Sequence, residues 1–148
     1  MKIYLAGAMG CYGEEAQYPK KWRDEVKNWF SKYSDKVTVI SPVDYYPCGC
    51  KDRKTEREVM NFDLNKVRNS DLILVNLLRI KESPGTIQEI FYAWILKIPV
   101  IGFIDTYIGT EDDYKKNIHP WLFEQIDRIE TGKDAMEKAM NYIRDFYN

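Results

Sequence analysis

Glu89 lies in the stretch Ser83-Pro84-Gly85-Thr86-Ile87-Gln88-Glu89-Ile90-Phe91-Tyr92-Ala93-Trp94, a carboxylate on a helix that is apolar on most of its sides. Such a helix is normally buried, and a buried charge needs a reason. Two reasons are open. Thr86-Ile87-Gln88-Glu89 fits the capping box T-x-x-E, in which the threonine bonds an amide of the first turn and the glutamate reaches back to the N-cap amide. Alternatively, the free amides and partial positive charge of the helix N-terminus keep Glu89 ionised as a nucleophile at the mouth of a sheet.

Asp63 raises the same question. Val59, Met60, Leu64 and Val67 form an apolar stripe at helical spacing, and Asp63 falls inside it. Aspartate is almost never fully buried without a partner.

Further ligand contacts are expected where strands end. Ile3-Tyr4-Leu5 is a short strand that empties into Gly7-Ala8-Met9-Gly10-Cys11-Tyr12-Gly13, which makes Gly7, Met9 and Gly10 candidates. A plain turn explains those glycines equally well. The loop has neither the full G-x-G-x-x-G pattern nor a P-loop, so neither dinucleotide nor ATP is signalled. Asp44, Tyr45 and Tyr46 lie in a loop whose rings can stack on a flat ligand or simply pack the loop down. Asn76 closes the apolar run Leu72-Ile73-Leu74-Val75, at the strand end where parallel sheets bind ligands. Arg23 and Lys20 read as exposed helix charges, with reach to an anion as the alternative.

The elements that carry these residues alternate. Strands are expected at residues 2–6, 37–40, 72–77 and 99–104, with a short fifth between Gln125 and Glu130. Helices follow Pro19, with Trp22, Val26, Trp29, Phe30 and Tyr33 as a core face, and run from about Thr55 to Asn69 and after Pro84. The last opens at Thr131-Gly132-Lys133-Asp134 and buries Ala135, Ala139, Tyr142, Ile143 and Phe146. This order predicts an α/β fold, a doubly wound, flavodoxin- or Rossmann-like parallel sheet of four to five strands flanked by helices.

A chain of 148 residues is expected to form one domain, spanning 1–148. With 45% hydrophobic and 30% charged residues, neither disorder nor a membrane protein is indicated. A net charge of -1 without a basic block argues against a nucleic-acid polymer as partner and for a small ligand. The glycine loop comes too soon for a signal peptide, so a cytoplasmic location is expected. Cys11, Cys48 and Cys50 read as reduced thiols, and Cys48-Gly49-Cys50 with the sole histidine, His119, matches no zinc spacing. No metal or other cofactor is expected.

Taken together, Ile3-Tyr4-Leu5-Ala6-Gly7, Asp63-Leu64-Asn65, Asn69-Ser70-Asp71, and Gly85-Thr86 followed by Glu89 and Tyr92-Ala93 give a chain that resembles the nucleoside 2-deoxyribosyltransferase superfamily. That superfamily includes deoxyribosyltransferases and nucleoside 5'-monophosphate N-glycosidases. The resemblance implies that Glu89 attacks the anomeric carbon, with Asp63 beside it handling protons and the Tyr4 hydroxyl orienting the nucleophile. It also implies a nucleoside or nucleotide substrate held in part by Ser83 and Gly85, and a homo-oligomer whose sites are completed by neighbouring chains, with Trp94, Tyr107 and Trp121 as candidate contacts.

One departure bears on the acceptor. Transferases of the family carry an acid in the loop before the nucleophile helix, where this chain has Ser83, as the nucleotide hydrolases do. That favours water, or a phosphate held by Ser83 and the amides of Gly7 to Gly10. The arginine-bearing glycine signature of the monophosphate hydrolases is missing unless Arg23 substitutes. A non-catalytic nucleotide-binding module on the same fold and an NAD-type glycohydrolase are the other readings.

Overall fold

A computed structural model describes residues 1–10, 16–45, 55–105 and 118–147. The strands are β1 (Lys2–Gly7), β2 (Thr38–Ile40), β3 (Leu72–Asn76), β4 (Val100–Asp105) and β5 (Arg128–Gly132). The helices are α1 (Tyr18–Ser31), α2 (Glu56–Arg68), α3 (Pro84–Ile95), the single turn α4 (Pro120–Phe123) and α5 (Ala135–Tyr147). All five strands run parallel in the order β2-β1-β3-β4-β5. The expected doubly wound α/β fold is therefore what forms, and its order reverses between β1 and β3, the crevice where such sheets hold ligands.

Strand alternation divides the core into two layers. Ile3, Leu5, Leu72, Leu74, Ile101 and Phe103 face α1 and α5, meeting Trp22, Val26, Phe30, Ala139 and Ile143. Tyr4, Ala6, Ile73, Val75 and Val100 face the other way, onto Val67 of α2, Ile90 and Ala93 of α3 and Leu122 of α4. Each large apolar side chain buried in this way contributes roughly 1.5–3 kcal/mol. Tyr4, on the central β1, is fully buried.

Several details differ from the sequence reading. The fifth strand starts at Arg128 and takes in Thr131 and Gly132, so the last helix begins only at Ala135. Phe146 is 68% exposed and Tyr33 54% exposed, because Phe146 stacks on Tyr142 at the surface and Tyr33 follows the end of α1. Helix α3 inverts the expected logic: it buries Thr86, Glu89, Ile90 and Ala93, while Ile87, Phe91, Trp94 and Ile95 face outward. Among the described residues no helix is long and apolar enough to cross a membrane.

Candidate active site

Glu89 belongs to the second turn of α3. The helix starts at Pro84 with Ser83 as its N-cap residue, and no side chain caps it. Thr86 is already helical, and its hydroxyl pairs with that of Ser83 at 2.8 Å. The capping-box explanation of Glu89 therefore falls: Pro84, a preferred first residue, moves the helix start ahead of Thr86. A T-x-x-E cap does exist on α2, where the Thr55 hydroxyl accepts the Glu58 amide at 3.1 Å and bonds the Glu58 carboxylate.

The Glu89 carboxylate instead points at the sheet, where its Oε1 accepts a 2.6 Å hydrogen bond from the Tyr4 hydroxyl. Glu89 is 9% exposed, and burial pushes its carboxyl up to about 7; the Tyr4 hydrogen bond opposes that rise, the Asp63 charge adds to it and Arg23 counters it. Loss of water, the largest of these influences, takes Glu89 above the ordinary carboxylate range. Burial likewise lifts Asp63 to about 6, again countered by Arg23. The Tyr4 hydroxyl is pushed well above its usual range, chiefly by burial and then by the two acids. Both carboxyls are thus lifted toward neutrality, the range in which one can be ionised while the other keeps its proton.

Two hollows meet at these acids. One, of about 290 Å³, lies between α2 and α3 and is walled by Val59, Met60, Asp63, Leu64, Gly85, Gln88 and Glu89, with Glu56 at its edge. The other, of about 230 Å³, opens over the ends of β1 and the turn before α3, with Gly7, Met9, Gly10, Arg23, Pro42, Glu82, Ser83, Pro84 and Thr86 around the same Asp63, Gly85 and Glu89. The apolar stripe that makes Asp63 anomalous is largely a cavity wall: Met60 is 45% exposed and only Val67 is fully buried. Asp63 Oδ1 is shielded from solvent and has no hydrogen-bond partner among the described residues.

Gly7 closes the floor. A side chain there would come within 3.1 Å of Trp22 and 3.2 Å of the Asn76 Cβ, and its φ of +155° disfavours any other residue. At Gly10 and Gly85 an added Cβ would meet nothing within 4 Å among the described residues, which leaves space above them for a ligand.

Tyr4, Gly7, Met9, Gly10, Asp63, Ser83, Gly85 and Glu89 thus converge. Asp44, Tyr45 and Asn76 do not line either hollow. Asp44 pairs with Lys27, Tyr45 packs on Phe62 at 5.1 Å, and the Asn76 amide is used up by Tyr18 at 3.1 Å and the Leu78 backbone at 3.0 Å. Tyr46, Tyr107 and the three cysteines lie outside the described residues.

Arg23 is the residue the sequence reading misplaced. It is 1% exposed, donating to the Pro19 carbonyl at 2.8 Å and to the Gly7 carbonyl at 2.8 Å. The signal was available: Pro19, Trp22, Arg23, Val26 and Phe30 follow the buried helical spacing. Glu82 was also missed; it lies on the wall of the smaller hollow, beside Ser83, with its carboxylate gripped by Arg79 at 2.6 and 2.8 Å.

Residues 3–140 match the family model for nucleoside 2-deoxyribosyltransferases. The chain belongs to that family. No curated protein sequence matches it. Solved structures of similar fold include a conserved protein from Enterococcus faecalis V583, with TM-score 0.70 and 16% identity over 95% of this chain and 97% of that one. The 2-deoxyribosyltransferase from the psychrotolerant Bacillus psychrosaccharolyticus aligns with TM-score 0.64 and 19% identity, over 94% and 90% of the two chains. The 2-desoxiribosyltransferase from Leishmania mexicana gives TM-score 0.65 and 18% identity over 99% of each.

Proposed function

We propose that this protein cleaves the N-glycosidic bond of a nucleoside and passes the sugar through a covalent ester on Glu89 to a second base. The observation that supports it most is the Tyr4 to Glu89 hydrogen bond placed against Asp63, at the seam of two hollows. Tyr4 aims one oxygen of Glu89 and leaves the other for the anomeric carbon. As the bond from sugar to base breaks, positive charge grows on the sugar, and a nearby carboxylate stabilises and then captures it. The bonding electrons leave with the base, which takes its proton from Asp63. In the second half a nitrogen of the incoming base attacks the anomeric carbon, the bond from that carbon to the Glu89 oxygen breaks, the proton of the nitrogen goes to Asp63, and Glu89 is released as carboxylate. Two displacements retain the configuration of the sugar.

The flat base fits the larger hollow between Val59, Met60 and Leu64, and the sugar lies over Gly85. The choice of transfer over hydrolysis is supported by Glu82, an acid on the turn before α3, one residue ahead of Ser83. With the acids Asp63 and Glu89 on its wall, and Glu82 already neutralised by Arg79, the smaller hollow suits a neutral sugar hydroxymethyl better than a 5'-phosphate. Hydrolysis of a 5'-monophosphate is the second reading, supported by Ser83 and the open backbone at Gly10.

The test is incubation with a nucleoside and 5'-nucleotide panel, with and without a second free base, read by chromatography. New nucleosides are the expected product. Free base and sugar alone would move the assignment to hydrolysis, and ligand-induced stabilisation without any product would leave a binding module.

We also propose self-association through α3, where Ile87, Phe91, Trp94 and Ile95 leave an apolar face beside the larger hollow. A second copy of this chain would cover it. Sedimentation of the wild type should give a dimer or larger assembly, and Trp94→Glu a smaller one; a monomeric wild type would refute the idea.

A further inference from the structure

An arginine that loses nearly all its water must recover the cost through charge and hydrogen bonds. Arg23 does so in two directions. Its guanidinium donates to the Pro19 carbonyl in its own helix and to the Gly7 carbonyl at the end of β1, and it stacks 4.4 Å from the Trp22 ring centre. It also forms part of the wall that carries Asp63 and Glu89. We infer that Arg23 is the positioning residue of this site: it ties the exit of β1 to the start of α1 and balances the negative charge of the two acids across their shared hollow.

The charge balance explains why a cation is needed there. The chemistry under Proposed function, on which this inference rests, uses one ionised and one protonated carboxyl. Burial raises both acids, and Arg23 opposes the rise at each. Tyr4 on β1 donates to Glu89, while Glu56 on α2 and Glu82 ahead of α3 are the other acids on the two hollows, Glu82 already held by Arg79. Among the described residues, removing the Arg23 charge leaves the acids of the shared hollow with Tyr4 as the side-chain donor on the sheet side. Glu89 then holds its proton more firmly, and less of it is ionised as nucleophile at neutral pH.

The experiment is a carboxyl carbon-13 NMR titration of the protein labelled at aspartate and glutamate, in the wild type, Arg23→Lys and Arg23→Met, with Glu89→Gln assigning the signal. The Glu89 midpoint is expected to rise by about one pH unit in Arg23→Met and to fall back by at least half of that in Arg23→Lys. The acid limb of kcat/KM for base release should shift in parallel. Equal midpoints in all three proteins would overturn the inference, since a purely structural arginine lowers the melting temperature without moving them. If Arg23→Met does not fold, Arg23→Gln, which can still donate to a backbone carbonyl, is compared with Arg23→Lys on the same criterion. A wild type that releases no base would refute the proposed activity while the titration still decides the role of Arg23.

Discussion

Replacing Glu89 by glutamine should change how the stability of the protein depends on pH, in a direction opposite to that usual for a native carboxylate. Glu89 is pushed from 4.5 to about 7, mainly because folding strips its water. The folded state therefore holds the Glu89 proton more tightly than the unfolded chain. Below about pH 4 both states keep it, and the group costs nothing. As the pH rises through the window from 4.5 to about 7, the unfolded chain gains by losing its proton first, and the native state is progressively penalised. Each unit of displacement is worth about 1.4 kcal/mol, so the penalty approaches roughly 3 kcal/mol by pH 8.

Glutamine keeps an acceptor for the Tyr4 hydroxyl and removes the titration. Its own cost of burying an amide does not vary with pH, so the difference between the two stability curves isolates the carboxyl. Urea unfolding at half-unit steps from pH 4.5 to 8 should show Glu89→Gln gaining up to about 3 kcal/mol on the wild type across that range. In melting temperature this is roughly 10 °C at pH 8. Asp63, only half-buried, leaves a shallower slope of the same sign in the variant. Base release should vanish throughout. Parallel stability curves would refute the argument, because the Glu89 carboxylate would then be as well solvated folded as unfolded.

Tyr4→Phe removes the 2.6 Å hydrogen bond, destabilises the protein by about 1–3 kcal/mol at pH 8 and less at pH 5, and moves the acid limb of base release upward; an unmoved limb counts against the orienting role. Asp63→Asn should fold normally and lose about 10²–10⁴-fold in base release, with release of the most acidic leaving bases least affected; uniform losses across leaving groups would argue against proton donation. Gly85→Ala should raise stability by about 0.5–1 kcal/mol, since nothing lies within 4 Å of its Cβ. Gly85→Leu should fold and fail to bind nucleosides, as isothermal titration would show; retained affinity would place the sugar elsewhere.

The sheet was legible because its strands are short continuous apolar runs separated by helical stripes, which periodicity resolves. Glu89 was legible as an acid on a mostly apolar helix, and Asp63 as an acid inside an apolar stripe. Glu89 was found partly for the wrong reason, however: α3 turns its oily side chains outward and its acid inward, and no single helix reveals which face meets the sheet. Arg23 was lost by reading charge before position, although its spacing from Trp22 and Val26 matched the stripe that identified Asp63. Asn76 stood at a strand end, the correct address, but its amide is consumed by Tyr18 and Leu78, partners separated from it by 58 and 2 residues. Side-chain hydrogen bonds of the first kind leave no local signature.

The parity of β1 has an evolutionary corollary. Ile3 and Leu5 point to one layer and Tyr4 and Ala6 to the other, so a residue inserted or deleted ahead of Tyr4 would send the hydroxyl into the hydrocarbon beneath α1 and an isoleucine or leucine toward Glu89. Such a lesion could not yield a sound but idle protein. Misalignment of the Tyr4 hydroxyl and collapse of the interior are one event, and quality control acting on folding alone would also screen for the Tyr4 to Glu89 pairing.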